Sequence, residues 1–189
     1  MTVSAGFAAS ALIVVIAMQL ADLNALDTEP ATRELFRCCG STTWAQAMAA
    51  ARPFANVDAL VAAGDKIWSS LAPADWREAF AAHPRIGADG AGGSGGAGGW
   101  SAQEQSGVAG ATDAARRRLA AANRDYEARF GYIFIVCATG KSGDEMLELL
   151  EERLRHDPDA ELTIAAEEQR KILRLRLAKL IETPQVTTT

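Results

Sequence analysis

From about Leu23 onward the chain is a succession of alanine- and leucine-rich stretches with apolar residues at helical spacing, separated by glycine, proline and capping residues, and β-branched runs are scarce. A chain punctuated this way is expected to be all-α, a single compact helical domain around one core. Thr28-Glu29-Pro30 opens a helix carrying Leu35 and Phe36, and Cys38-Cys39-Gly40 ends it. Ser41-Thr42-Thr43 can cap the next, with Trp44, Ala47, Met48 and Ala51 in register up to Arg52-Pro53. Asn56 or Asp58 caps a segment containing Leu60, Val61, Ile67 and Trp68. Pro73-Ala74-Asp75 then opens a segment with Trp76, Ala79 and Phe80, which delivers His83 where helix gives way to loop.

The second half has the same punctuation. Between Ile86 and Trp100 the chain is almost wholly Gly, Ala and Ser, so residues 88–99 are expected to form a flexible Gly-rich loop. It lacks the Gly-Lys-Ser/Thr ending of a phosphate-binding loop. Ser101 and Glu104 have capping-box spacing at the start of a long helix, expected from Gln103 to Phe130 and ended by Gly131. Arg116-Arg117-Arg118 on that helix reads as a solvated face, because no second basic cluster or aromatic platform accompanies it. Tyr132 to Cys137 is a short apolar run, a buried strand or an extended segment. Ser142-Gly143-Asp144-Glu145 opens a helix with a Met146, Leu149, Leu150 and Leu154 stripe. His156-Asp157-Pro158 breaks it, with His156 read as an exposed loop residue, and a last helix runs from about Asp159 to Leu180.

Composition narrows the function. A net charge of -5 and a pI near 5.1 give no basic footprint for nucleic acid. Cys38, Cys39 and Cys137 show no CxxC or Cys/His metal spacing and read as buried thiols. Residues 1–22 are an apolar extension with no charged side chain before Asp22. Phe7 to Leu20 is short for a membrane span and lacks a cationic leader, so it is read as an extension of uncertain role, with an extra docking helix or a membrane contact as the alternative; no membrane association is expected, and the acidic balance points to a cytoplasmic location. The ending Thr187-Thr188-Thr189 carries no Ser-Lys-Leu peroxisomal address. The expected organisation is the extension, a domain over 23–182 and a tail over 183–189.

His83 is one of only two histidines and the evident acid–base group near neutral pH. It stands in His83-Pro84-Arg85-Ile86-Gly87, followed by Ser101-x-x-Glu104-Gln105, then Asn123-x-x-Tyr126-x-x-x-Phe130-Gly131-x-x-Phe134-Ile135. Arg153-Leu154, Glu161-Leu162, Ala165, Glu168 and Lys171-Ile172-x-x-x-Arg176-Leu177 close the pattern. With Leu23-Asn24-Ala25-Leu26, Trp44 and Arg52-Pro53-Phe54, these elements, in order and spacing, resemble the 2-oxo-4-hydroxy-4-carboxy-5-ureidoimidazoline (OHCU) decarboxylases of uric acid breakdown, from about Leu23 to Leu180. The loop after Gly87 departs from the pattern in its length and glycine content.

The resemblance implies a mostly helical enzyme, a homodimer, using no metal or organic cofactor and converting OHCU to (S)-allantoin and carbon dioxide. It implies His83 and Glu104 as catalytic residues and Arg176 as a substrate contact, with Arg174 the neighbouring competitor on a different helix face. Pro84, Ser101, Gln105 and the backbone of Phe134, Ile135, Val136 and Cys137 would line the site. The alternatives are a non-enzymatic helical interaction module, or a related lyase acting on another ureido or imidazoline acid. A module has no reason to gather His83, Glu104 and Arg176.

Overall fold

The computed structural model describes residues 18–85 and 113–181. Eight helices follow one another among them: α1 (Leu20–Ala25), α2 (Thr28–Cys39), α3 (Thr42–Ala50), α4 (Val57–Ser69), α5 (Pro73–Ala81), α6 (Asp113–Phe130), α7 (Gly143–Arg153) and α8 (Pro158–Ile181). There is no strand among the described residues, so the all-α expectation is met. The Gly-rich loop and the stretch from Gln103 to Thr112, expected to belong to the long helix, lie outside them, as do Ser101, Glu104 and Gln105.

The helix boundaries follow local chemistry. Ser41 Oγ accepts the Trp44 N–H at 3.3 Å and Asn56 Oδ1 the Ala59 N–H at 2.8 Å, each satisfying an orphan donor of a first turn. Ser142 and Glu145 form the reciprocal capping box of α7, with bonds of 3.2 and 2.7 Å. Helices α2 and α6 end at Gly40 and Gly131, with φ of 78° and 77°. Arg52 closes the C-terminal end of α1, donating to the carbonyls of Leu23 and Leu26 at 2.7 and 2.6 Å.

Helix α8 is the core element, packing on α2, α4 and α5, while α6 packs on α7. Its buried residues include Leu162, Ala165, Ile172, Leu173 and Leu177. The indoles of Trp44 and Trp68 are buried and satisfied, donating to Gly64 O at 3.1 Å and Ala166 O at 3.0 Å. Gly64 lets α4 lie close to α8, since a Cβ there would stand 3.0 Å from Leu177 Cδ1. The N-terminal end joins this core through Met18, whose N–H donates to Leu180 O at 3.0 Å.

Two features place the turn after α5. Thr42 and Thr43, at the start of α3, donate from their hydroxyls to Glu78 and Asp75 of α5, both at 2.7 Å. At the other end, Gly40 abuts Ala82, the residue before His83: a Cβ on Gly40 would lie 2.4 Å from Ala82 Cβ.

Candidate active site

His83 follows α5 directly, its N–H bonded to Phe80 O at 3.1 Å. The residue keeps some exposed surface, but its Nε2 is sealed from solvent and has no hydrogen-bond partner among the described residues. Burial and, second, the positive charge of Arg176 lower its pKa from 6.5 to about 3, and the Gln169 side chain opposes them. The imidazole is therefore neutral at neutral pH, able to accept a proton at one nitrogen and donate at the other. A histidine at a helix end commonly donates to the last carbonyls; here the buried nitrogen makes no such bond.

Arg176 is 2% exposed and reaches this site from α8. Arg174 is not its equivalent. It lies on the surface, its Nε 2.9 Å from both carboxylate oxygens of Asp65 on α4. Sequence reading missed Gln169, two turns before Arg176 on the same face of α8, fully buried and next to His83. Its signal was a glutamine in phase with Ala165, Ile172 and Arg176 on an otherwise apolar face.

Tyr132 to Cys137 is neither helix nor strand; it packs against the α5 end through the Phe80–Tyr132 ring pair, with centroids 5.3 Å apart. In place of a neighbouring strand, side chains satisfy its backbone. Arg153 Nη1 donates to Ile135 O at 2.7 Å, Glu168 Oε2 accepts the Cys137 N–H at 2.8 Å, and Lys141 Nζ donates to Cys137 O at 2.9 Å. Arg153, Glu168 and Lys141 also line a cleft of about 370 Å³ whose lining includes none of His83, Gln169 or Arg176.

Arg153 is itself held in a buried network. Its Nε donates to Glu161 Oε1 at 2.7 Å, and the Tyr126 hydroxyl donates to the same oxygen. His156 Nδ1 lies 2.8 Å from Glu161 Oε2. His156 is thus a half-buried partner of a fully buried carboxylate, which corrects its reading as an exposed loop residue. The turn that follows α7 brings it over the first turn of α8, a contact that the local polar sequence does not reveal. Arg116, Arg117 and Arg118 are exposed, with Arg118 paired to Glu151 at 2.7 Å, in keeping with a solvated face. Cys38 and Cys39 are buried thiols, and burial pushes Cys38 up to about 12, whereas Cys137, on the irregular segment after α6, is half-buried, which corrects its reading as a buried thiol.

The structure thus brings His83 and Arg176 together with Gln169, and sets Phe134 to Cys137 on the adjoining segment. Such a neutral imidazole and a buried guanidinium can move a proton and hold an anionic or carbonyl oxygen. Residues 24–178 match the family described as OHCU decarboxylase. The chain is 41% identical over 145 residues to the uric acid degradation bifunctional protein TTL of Arabidopsis thaliana, covering 76% of this chain and 45% of that protein's length. It is 36% identical over 148 residues to the 2-oxo-4-hydroxy-4-carboxy-5-ureidoimidazoline decarboxylase of Amia calva, covering 76% and 83% of the two chains. A crystal structure of OHCU decarboxylase in the presence of (S)-allantoin superimposes with a TM-score of 0.69 at 38% identity, over 79% of this chain and 97% of that one. A match that reaches every described helix and covers both His83 and Arg176 assigns the chain to the OHCU decarboxylase family.

Proposed function

We propose that this protein decarboxylates OHCU to (S)-allantoin and carbon dioxide in uric acid degradation, with residues 23–182 as the catalytic domain. The observation that carries the reading is the neutral, half-buried His83 beside the buried Arg176, on elements matched by the family. The bond to the carboxylate breaks, and its electron pair passes to the ring carbon and into the adjacent imine. The substrate thereby supplies its own electron sink, and no metal or organic cofactor is required. The neighbouring hydroxyl loses its proton as it becomes a carbonyl, and the former imine carbon gains one on a single face. The former imine nitrogen takes up one proton in place of the lost carboxylate charge, a second moves from the hydroxyl oxygen to the former imine carbon, and one carbon dioxide is released.

His83 is the acid–base residue for that transfer and Glu104 its catalytic partner. Arg176 holds a substrate carboxylate or ring carbonyl by a charge-assisted pair. Pro84, Ser101, Gln105 and the backbone from Phe134 to Cys137 enclose the ring. By the same resemblance the enzyme is a cytoplasmic homodimer, a state that sedimentation of the purified protein measures. Among the described residues no helix is long and apolar enough to cross a membrane.

The test is an assay in which OHCU, freshly generated from urate, is offered to the EDTA-treated protein and the handedness of the allantoin is followed by circular dichroism. Rapid formation of the (S) form supports the reading. Racemic product at the spontaneous rate overturns it, and activity that returns only with added metal overturns the cofactor-independent chemistry.

A further inference from the structure

Three polar atoms in this site are sealed from solvent yet have no hydrogen-bond partner among the described residues: His83 Nε2 and the Oε1 and Nε2 of Gln169. Buried polar groups are seldom left so, and a native exception calls for a reason. These belong to neighbouring side chains, since Gln169 acts directly on the His83 ring. We propose that Gln169 is a positioning residue for His83, its Oε1 taking the hydrogen of the buried Nε2 and leaving the Nδ1 lone pair to exchange protons with the substrate. The catalytic half of this statement rests on His83 being the acid–base residue of the reaction above.

The chemistry selects one arrangement. A neutral imidazole carries a single hydrogen, and the partner of one nitrogen decides what the other can do. The Nε2 edge is closed to bulk solvent, so a neighbouring protein group is the partner at hand. A glutamine offers an oxygen acceptor or an NH₂ donor. Gln169 opposes the lowering of the ring's pKa, and toward a hydrogen on Nε2 its oxygen is the end that can pair. Arg176, on the same face of α8, places a positive charge nearby, where the oxygen end of the carboxamide dipole is the favoured end. A small rotation of the carboxamide completes the contact. The hydrogen is then fixed on Nε2, and Nδ1 becomes a base whose direction is set by a fully buried side chain.

With only two histidines in the chain, ¹⁵N spectra of the imidazoles can be assigned by replacing His156. In the unmodified protein at neutral pH, His83 should show a pyrrole-type Nε2 and a pyridine-type Nδ1. The reverse pattern, or a tautomer average, overturns the proposal whether or not the protein decarboxylates OHCU, so failure here is distinct from failure of the functional reading. Gln169→Met, similar in volume, should release the tautomer and lower kcat by about 10- to 100-fold, as loss of an orienting partner does elsewhere, with KM and Tm little changed. Gln169→Glu retains an oxygen acceptor; it should restore the Nε2–H pattern and raise the ring's titration. An unchanged spectrum and kcat in Gln169→Met, or a Gln169→Glu spectrum identical to that of Gln169→Met, overturns the assignment.

Discussion

Glu168 on α8 accepts the Cys137 N–H at 2.8 Å and so fixes a peptide that belongs to no helix or strand. Burial pushes the Glu168 carboxyl up, but Lys171, the Cys137 N–H and Arg153 together outweigh it and the net direction is down. Glu168→Ala should therefore loosen the Phe134–Cys137 wall and raise KM more than it lowers kcat. Glu168→Gln keeps an oxygen acceptor and should recover most of the loss. Steady-state kinetics of the pair check this; equal KM values for Glu168→Ala and the unmodified protein would refute it.

His83→Asn should reduce kcat by about two to four orders of magnitude, the usual worth of a positioned acid–base group. Folding should persist, since His83 lies just past the end of α5 and outside the helix interior. Glu104→Gln should impair turnover, because an amide cannot exchange a proton as a carboxyl does. Arg176→Lys should weaken substrate binding, as an ammonium cannot reproduce a planar two-point donor. An unchanged rate for His83→Asn, with native circular dichroism, would refute the mechanism.

These residues were legible to different depths, for physical reasons. The helices were readable because caps and breakers act locally: Ser41, Asn56, Ser142, Gly40 and Gly131 all stand where their chemistry puts them. The family pattern named His83 and Arg176, and the fold sets the two near each other. Gln169 was hidden because a polar residue on a helix is by default solvent-facing, and only the packing of α5 against α8 turns it inward. His156 was misread because its partner Glu161 lies beyond a proline, in the next helix. The apolar run from Tyr132 carried no sign that side chains rather than a strand would satisfy its backbone.

The His83 shift has a signed consequence for stability. Its folded pKa of about 3 lies below its ordinary value of 6.5, so between these values the unfolded chain binds a proton that the native state does not. Stability should be full above about 6.5 and fall as pH drops toward 3, by at most about 1.4 kcal/mol per unit. Glu168 adds a contribution of the same sign, lost as pH falls through its lowered pKa. Urea melts across this range should show a shallower slope for His83→Asn than for the unmodified protein; parallel slopes would contradict the origin assigned here.

The Glu161 network makes a different prediction. Its carboxylate has no exposed surface and faces Arg153, Tyr126 and His156, so removing it strands a buried guanidinium. Glu161→Ala should destabilise the fold by about 3–5 kcal/mol. His156→Ala removes one partner of one oxygen at a half-buried position and should remove about 1–3 kcal/mol. Denaturant midpoints for the two variants should differ in that order, and equal effects would show that His156 is no lesser partner than Arg153.

Gly40 links the frame of the fold to the site most directly. Its φ of 78° is a left-handed conformation that a side chain resists, and a Cβ would stand 2.4 Å from the Cβ of Ala82. The α2–α3 turn cannot draw away from α5, because Thr42 and Thr43 tie the start of α3 to Glu78 and Asp75 in the body of that helix. Relief must come from the turn that carries Ala82 and His83, shifting the imidazole relative to Gln169 and Arg176. Gly40→Ala should therefore lower stability by about 1–3 kcal/mol for the strained backbone, and lower kcat well beyond the fraction of protein unfolded at the assay temperature. Gly131→Ala is the control: its φ of 77° carries the same strain, but its Cβ would meet nothing within 4 Å. It should lose stability alone, and a matching loss of kcat in both variants would show that the contact with Ala82 does not set the position of His83.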